Sequence, residues 1–418
     1  MKNKILIFLL CIAVLLTAVS CSTDDNKVID TNTDFNHEDE PITPIEDVGN
    51  NTNTSGETRI SVIAVGDNIP HDSVINTAKN DATGGGTYDF SKIYAGIADE
   101  VSSADIAFIN QESPVGGASL GISGYPNFNA PEEMIEELIE IGFDVFNIAN
   151  NHMLDKGEKG YANTIEYFNS LPVTMIGGYT KSDYDNIRIV EKEGVKIAFL
   201  SYTTLVNEGH KNDISSGSQY IIPYADTEDI TRHVTLAKEQ ADVVIVSMHW
   251  GSEGVFTVTN EQSKYAKLCA DLGVDAVIGH HPHVVGDVEW VEGEGGNKTL
   301  VAYSIGNFCS SQLYSYNMIG EMLKFDIVKN EDETICIENA VVDPVVCHYK
   351  TDTSRYDNQN LAVRYDVRMY MMSDYTEELA NNHGAQNWGR FSYNTLKDYM
   401  CSENYAGVSN QFLPEYMK

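Results

Sequence analysis

The chain has 418 residues, of which 42% are hydrophobic and 21% are charged. This composition excludes a wholly disordered or collagen-like chain, and the length allows one large domain or two modest ones. The 62 acidic residues outnumber the 27 basic ones, which gives a formal net charge of −35. Such a field repels phosphate backbones, so nucleic acid is not an expected partner. A small anionic substrate would need a local cation, most simply a metal ion.

The first 21 residues have the pattern of a sorting signal. Lys2 and Lys4 form a basic start, residues 5–19 are almost continuously apolar, and small residues precede Cys21. An apolar run of this length is typical of a signal peptide rather than of a membrane span. Because the pattern resembles a bacterial lipobox, we predict a lipoprotein signal peptide over residues 1–21, with Cys21 as the lipidated residue. The alternative is an ordinary secretory signal with an incidental cysteine. Lipidation would anchor the protein to the extracellular face of the bacterial cytoplasmic membrane.

Residues 22–57 are rich in Asp, Glu, Asn and Thr, and Lys27 is the only basic residue among them. Because few apolar side chains are available to offset the entropy that folding costs, the sequence predicts an acidic, disordered linker. Such a linker would hold a folded domain away from the membrane. Disorder without a spacing role explains the composition equally well.

From residue 58 onward, apolar and β-branched runs alternate with amphipathic segments. The predicted strands are 60–65, 106–109, 145–148, 173–176, 197–200, 243–248, 274–278 and 300–305. The predicted helices are 130–141, 226–240 and 260–272. In the first helix, Met134, Ile135 and Leu138 lie on one face and glutamates on the other. This alternation predicts an α/β domain with parallel or mixed sheets.

Polar motifs follow six of the predicted strands. They are Gly66-Asp67 with His71, Asn110-Gln111-Glu112, Asn150-Asn151-His152 with Asp155, His249-Trp250-Gly251, Gly279-His280-His281-Pro282-His283 and Gly306-Asn307. In open α/β sheets, ligands bind in the crevice beyond the carboxyl ends of the strands. We therefore expect these side chains to converge on one rim of the domain.

The residue types in these motifs indicate a metal centre. Carboxylate, imidazole and amide ligands without thiolates suit Zn, Mn or Fe ions in a reactive site. Two ions about 3.5–4 Å apart can activate a water molecule and stabilise phosphoryl oxygens, while a free histidine protonates the leaving oxygen. Taken singly, Asp67 and His71 are more often structural, and His249 is compatible with a buried core histidine. Three imidazoles within residues 280–283 are harder to explain by packing.

The order and spacing of these motifs over residues 59–312 resemble those of the CapA-type poly-γ-glutamate capsule biosynthesis proteins, which are similar to calcineurin-like metallophosphatases. The motifs that carry the resemblance are Val65-Gly66-Asp67 with His71, Asn110-Gln111-Glu112-Ser113-Pro114, Asn151-His152-Met153-Leu154-Asp155, His249-Trp250-Gly251, Gly279-His280-His281-Pro282-His283 and Ser304-Ile305-Gly306-Asn307-Phe308. The resemblance implies a layered αββα sandwich and a site for divalent metal ions, two in number, with Mn, Fe or Zn as the candidates.

The resemblance also implies roles for individual residues. Asp67 and His71 would bind the first metal ion, and Glu112 would occupy the bridging position that is an Asp in the standard phosphatase pattern. The ligands of the second ion would be Asn151, His249 and one of His280 or His281, with His283 nearby. His152 would act as the acid for the leaving group or as an oxyanion stabiliser, and Asp155 lies close to it as a second candidate catalytic residue. Asn307 and Trp250 are candidate substrate contacts.

Beyond residue 312 the resemblance weakens. Residues 322–328 and 334–346 predict a strand pair that closes the second sheet, so the main domain is predicted over residues 58–347. Cys336 and Cys347 flank this pair and are a candidate disulfide. Residues 348–418 predict a mostly helical extension packed on the domain, with a helix at 395–401. Its tyrosines either pack this extension or form a surface that contacts polymer; they are Tyr365, Tyr370, Tyr375, Tyr393 and Tyr399.

Two classes of function follow from these observations. The first is a cell-surface lipoprotein of poly-γ-glutamate or other anionic capsule polymer biosynthesis and export, whose metal site supports hydrolase or transferase chemistry. The second is a non-catalytic component that binds polymer or assists assembly of a capsule export complex. In both, the expected partners are the capsule polymer or its synthase and export machinery, together with the membrane.

Overall fold

The computed structural model describes residues 56–418 except Asn212 and Asn358. The predicted signal peptide, Cys21 and nearly all of the predicted linker lie outside these residues. Among the helices of the described part, none combines the length and the hydrophobicity that crossing a bilayer requires.

The described residues contain parallel and antiparallel strands. In chain order they are β1 (Thr58–Asn68), β2 (Ile106–Gln111), β3 (Val145–Asn147), β4 (Thr174–Ile176), β5 (Tyr179–Thr180), β6 (Arg188–Lys192), β7 (Val195–Thr203), β8 (Tyr220–Ile221), β9 (Val243–His249), β10 (Ala276–His280), β11 (Val288–Glu292), β12 (Lys298–Ala302), β13 (Ile319–Lys329), β14 (Ile335–Tyr356) and β15 (Ala362–Met371). Every strand predicted from the sequence overlaps one of these.

The α-helices connect strands or follow them. They are α1 (Asp72–Asp81), α2 (Ser91–Tyr94), α3 (Ala98–Ser102), α4 (Glu132–Glu140), α5 (Gly157–Asn169), α6 (Thr227–Lys238), α7 (Asn260–Asp271), α8 (Glu377–Asn381) and α9 (Tyr393–Cys401). Helix α7 begins at a capping box, in which Thr259 and Gln262 satisfy each other's backbone N–H groups. Helix α6 is capped by the carboxylate of Asp226.

Two large sheets form the framework. The larger sheet has the order β15-β14-β13-β1-β2-β3-β4, with β1 to β4 parallel and β13, β14 and β15 antiparallel. The smaller sheet has the order β11-β12-β10-β9-β7-β6, in which β12, β10, β9 and β7 are parallel. Strands β5 and β8 form a separate two-stranded ribbon. The expected mixed α/β architecture is therefore confirmed.

The two sheets pack face to face with helices outside them. Phe108 of the larger sheet stacks on Phe199 of the smaller one, with ring centroids 6.4 Å apart, inside a core that both sheets share. The other face of the smaller sheet packs on α6 and α7 through a second apolar cluster that includes Ile230 and Tyr265. Because the parallel strands are covered on both faces, β2 and β9 are buried throughout, which explains their nearly continuous apolar sequence.

The C-terminal region differs from the expected mostly helical extension. Strand β14 continues through the predicted boundary at residue 347 as far as Tyr356, and β15 adds an edge strand to the larger sheet. Residues 348–356 are mostly polar, so they carry little hydrophobic alternation, and pairing with β15 supplies their backbone hydrogen bonds. The helical part follows β15, and it includes the predicted helix as α9. Tyr375 and Tyr399 are buried there, whereas Tyr365 on β15 is exposed.

The candidate disulfide between Cys336 and Cys347 is not formed. Both cysteines are free and lie in the same strand, β14. At about 3.3 Å per residue, their separation along the strand is on the order of 30 Å, far beyond the reach of a disulfide. The Cys347 thiol instead donates a hydrogen bond to the carbonyl oxygen of Ser310, at 2.8 Å.

Candidate metal centre

The carboxyl ends of the parallel strands of both sheets meet at one place. Asp67 is the penultimate residue of β1, and its backbone pairs with Asn307, which follows β12 in the other sheet. Asp67 N–H donates to the carbonyl of Gly306 at 3.0 Å. A Cβ on Gly66 would lie 1.9 Å from the Gly306 oxygen, so only glycine allows the two backbones to approach this closely. The predicted convergence of the strand-end motifs therefore rests on direct contact between the two sheets.

Asp67 is fully buried and acts as an ionised acceptor. Asn110 Nδ2 donates to its Oδ1 at 2.7 Å, and His283 Nδ1 lies 2.9 Å from its Oδ2. Burial raises the pKa of Asp67, but the hydrogen bond and charge of His283 outweigh burial and lower the pKa to about 2. Burial lowers the pKa of His283, and the contact with Asp67 reverses this and raises the pKa above its ordinary value.

Glu112, directly after β2, is fully buried, and neither of its carboxyl oxygens has a hydrogen-bond partner among the described residues. Its Oε1 lies 3.8 Å from His249 Nε2 and 3.6 Å from His283 Nε2. Burial, and then the charge of Asp67, raise the pKa of this carboxyl well above its ordinary value. Buried polar groups are nearly always paired, so an unpaired carboxyl aimed at imidazoles indicates a cation.

The imidazoles of His249 and His281 complete the arrangement. His249 Nδ1 and His281 Nδ1 are buried and lack partners within the described part of the chain. Burial lowers the pKa of His281 to about 3 and that of His249 well below its usual value, so both rings are neutral and offer lone pairs. The backbone φ angles of His281 and His283 are +97° and +56°, a strained conformation for side chains other than glycine. Such strain is typical of functional sites.

These residues form overlapping sets of ligand atoms. One set contains Glu112, His249 and His281, and another contains Asp67, Glu112 and His283; within each set the ligand atoms lie within 4.8 Å of one another. A third set contains Glu253, His281 and His283. Because unpaired carboxylate oxygens and neutral imidazole nitrogens are the donors that Zn, Mn and Fe ions prefer, the residues present fit a divalent metal.

Asn151 and His280 lie beside these sets. Asn151 Oδ1 is 2.9 Å from His249 Nε2, so Asn151 contacts a residue of the first ligand set. His280 stacks on Phe108 with ring centroids 5.7 Å apart, and its Nδ1 is 3.6 Å from Asp67 Oδ1. Of the two alternatives left by the sequence, the ligand sets thus contain His281 and not His280.

Three other predicted residues lie outside the ligand sets. His71 Nδ1 accepts a hydrogen bond from the backbone of Ser311 at 3.4 Å. Trp250, predicted to contact substrate, is instead fully buried in the core, and its Nε1 donates to the carbonyl of Tyr303 at 2.8 Å. Asn307 is buried beside the site, and its Oδ1 has no partner among the described residues.

His152 and Asp155 form a dyad next to the ligand sets. His152 Nδ1 lies 2.7 Å from Asp155 Oδ2, which also accepts from the backbone N–H of Phe128 at 2.8 Å. The ring of Phe128 packs edge-on against His152, with centroids 4.7 Å apart. The carboxylate and the aromatic ring fix the orientation of the imidazole, and Asn207 Nδ2 also lies 3.1 Å from its Nδ1.

The structure adds two residues for which the sequence assigned no role. Glu253 belongs to the third ligand set. Its position shortly after β9 is the sequence feature from which it could have been identified. Arg364 lies on β15, far along the chain from every strand-end motif, and had no such signal. Both line a cleft of about 350 Å³ beside the metal centre, together with His71, His283, Tyr125 and Tyr314.

Comparison with known proteins gives the family. The family model described as "Bacterial capsule synthesis protein PGA_cap" matches residues 61–312, more than half of the chain. The chain is 31% identical over 201 residues to the PGA biosynthesis protein CapA of Bacillus subtilis (strain 168), covering 48% of this chain and 51% of that protein. It is 32% identical over 206 residues to the capsule biosynthesis protein CapA of Bacillus anthracis, covering 49% of each.

The chain thus spans about half the length of the curated relatives that it matches. Among solved structures, the NAD nucleotidase of Haemophilus influenzae matches with a TM-score of 0.42 and 12% identity, over 86% of this chain and 57% of that one. The family match includes every strand-end motif of the metal centre and ends before β13. By this match, the chain belongs to the family of bacterial capsule synthesis proteins PGA_cap.

Proposed function

We propose that this protein is a cell-surface lipoprotein of capsule polymer biosynthesis whose metal centre hydrolyses or transfers a phosphoryl, acyl or peptide-like bond of poly-γ-glutamate or another anionic polymer. Family membership supports the role in capsule synthesis. The observation that carries the chemistry is Glu112, because its two unpaired oxygens lie where two ligand sets overlap. Its place among the imidazoles distinguishes it from Glu321, which is also buried with unpaired oxygens but lies outside the ligand sets.

Two divalent ions, with Mn, Fe or Zn as the candidates, would share Glu112. Asp67 and His283 would hold one ion, and His249 and His281, with Asn151 beside them, would hold the other. Bound ions of this kind supply positive charge that stabilises oxyanions and favours ionisation of a nucleophilic water. The buried, neutral imidazoles and the desolvated carboxylates keep this charge strong, because bulk water is excluded.

The dyad of His152 and Asp155 would transfer a proton to the leaving group. Asp155 holds Nδ1 of His152, which leaves Nε2 as the nitrogen that gives a proton to the leaving oxygen. Phe128 packs edge-on against this ring and keeps it in place. Glu253 belongs both to a ligand set and to the lining of the cleft, where a substrate would enter.

The deciding experiment measures metal content and turnover together. Full-length protein is purified without chelator, its metals are determined by elemental analysis, and hydrolysis of a chromogenic phosphodiester is followed. Glu112→Gln should lose metal and turnover while remaining folded, because Gln matches the neutral form of this carboxyl. The matched control is Glu321→Gln, since Glu321 is also fully buried with unpaired oxygens but lies outside the ligand sets.

The result that contradicts the proposal is equally definite. If the wild-type protein carries no metal under these conditions, and Glu112→Gln supports capsule formation as well as the wild type, the chemistry is absent. The protein would then be a non-catalytic component that binds polymer or assists its export.

A further inference from the structure

The cleft beside the metal centre has one wall that the family match does not cover. His71 and His283 line it within the family match, whereas Leu313, Tyr314, Tyr316, Asn317 and residues of the β14–β15 region line it beyond residue 312. Among the described residues that line the cleft, Arg364 of β15 is the only Lys or Arg. The C-terminal strand pair therefore brings one permanent positive charge to the cleft.

Arg364 is held in place by a backbone carbonyl and by a carboxylate. Its side chain is 11% exposed, Nη1 donates to the carbonyl of Ser311, and Nη2 is 3.3 Å from Asp357 Oδ2. The other oxygen of Asp357 already accepts from the backbone of Gln359 and Leu361, at 2.9 Å each. Arg364 Nε is buried and has no partner among the described residues. An arginine held this firmly can bind an oxyanion with little loss of entropy.

His71 supplies a second donor on the same side. Ser311 N–H donates to His71 Nδ1, so the hydrogen of the neutral ring is on Nε2. Ser311 thus connects the two side chains, because its N–H contacts His71 and its carbonyl accepts from Arg364. His71 is 8% exposed and lines the same cleft.

We propose that His71 and Arg364 form an anion subsite that binds a carboxylate or phosphate group of the substrate beside the bond that reacts. This inference rests on the proposed function, since it names the substrate class of the same centre. The remaining charged groups of the cleft are the acidic Asp72, Glu253 and Asp357. The subsite therefore binds one oxyanion at a defined position, and the cleft does not bind several successive anionic groups of a polymer. It also explains how a chain of net charge −35 admits an anionic substrate.

The test measures binding by calorimetry on the full-length, Mn²⁺-supplemented protein. The probes are a γ-linked oligoglutamate, the matching neutral oligoglutamine and inorganic phosphate. Arg364→Gln should weaken oligoglutamate binding about 10- to 100-fold, as expected for loss of a charge-assisted hydrogen bond, and leave oligoglutamine unchanged. Arg364→Lys should restore part of the affinity. Arg368→Gln is the matched control, since Arg368 lies on the same strand but pairs with Asp81 and Asp366 outside the cleft.

A second variant, His71→Phe, should weaken the same probes, because it keeps an aromatic ring against Phe128 but removes the Nε2 donor. Melting temperatures of all variants show whether they fold. If phosphate alone binds with dependence on Arg364, the subsite is confirmed and its ligand is a phosphate group. If Arg364→Gln and the wild type bind both anions equally, the subsite is wrong. Metal content is measured on the same samples. A protein that lacks metal but binds anions through Arg364 would contradict the proposed function and leave the anion subsite standing.

Discussion

His283 Nδ1 lies 2.9 Å from Oδ2 of Asp67, and this contact joins the loop after β10 in the smaller sheet to the end of β1 in the larger sheet. Neither residue meets the other until both sheets have formed and packed. The positive φ of His283 shows that the loop adopts a costly conformation to make the contact. The ligand sets therefore form only because the two sheets pack against each other.

Metal binding should release a proton from Glu112. Burial and the charge of Asp67 raise the pKa of this carboxyl, whereas a metal ion needs the ionised form. The apparent affinity for Mn²⁺ should therefore rise with pH, until the pH exceeds that pKa. Calorimetric titrations in two buffers of different ionisation enthalpy measure the protons released. Glu112→Gln should bind more weakly and release about one proton fewer. An affinity that does not change with pH would show that the carboxyl is already ionised.

Replacing a ligand and replacing the proton donor should have different effects. His249→Ala should lower metal content and turnover together, because His249 belongs to a ligand set. His152→Ala should leave the metals bound and lower turnover by about 10²–10⁴, the usual contribution of general acid–base catalysis. Metal stoichiometry, melting temperature and turnover are measured on both variants. Equal loss of metal in both would place His152 among the ligands, whereas lost stability with normal turnover would make it structural.

Gly66→Ala should disrupt the contact between the two sheets. The new methyl group would lie 1.9 Å from the carbonyl oxygen of Gly306, so the backbones would have to separate. We expect a loss of about 3 kcal/mol in the free energy of unfolding, near the upper end for overpacking, and lower metal content. Gly86→Ala is the control, because its Cβ would meet only an ordinary contact at 3.6 Å. Urea denaturation of both variants measures the difference, and equal stabilities would contradict the proposed role of Gly66.

Asp275 should make stability depend on pH. Burial raises its pKa to about 6, against a value of 3.8 for the free group, although the Val244 N–H donates to it. The folded protein therefore binds more protons between these values, and the free energy of unfolding contributed by Asp275 falls as pH rises from about 4 to 6. Asp275→Asn keeps an acceptor for Val244 and lacks this change. The difference in the free energy of unfolding between this variant and the wild type should therefore be about 1–3 kcal/mol more favourable to the variant at pH 8 than at pH 4. Denaturation at the two pH values measures this difference.

Cys21→Ser should detach the protein from the membrane or block its processing. A lipid chain contributes about 0.8 kcal/mol for each buried CH₂ group, so its loss removes the main force holding an acidic protein to the bilayer. Cell fractionation with immunodetection measures the distribution. Cys11→Ser is the matched control, because Cys11 lies within the apolar run of the predicted signal. Unchanged membrane association of the Cys21 variant would contradict the lipobox interpretation.

The sequence by itself predicted the α/β class, the strand positions and most residues of the ligand sets. Hydrophobic periodicity reports which segments are buried, and polar residues at the ends of buried parallel strands must face the same edge. Asp67, Glu112 and His249 were identifiable for this reason, because each lies at the end of such a strand or directly follows it.

Tertiary structure alone decided which side chains share a site and which enter the core. The ligand sets contain His281 and not His280, because His280 stacks on Phe108 at the end of β10 whereas His281 lies just beyond this strand, with a φ of +97°. The same packing buries Trp250 beneath Tyr303. Strand β15 brings Arg364 to the cleft through pairing with β14, whose polar residues gave no alternating pattern. Local sequence cannot encode such contacts, since they depend on which distant strands become neighbours.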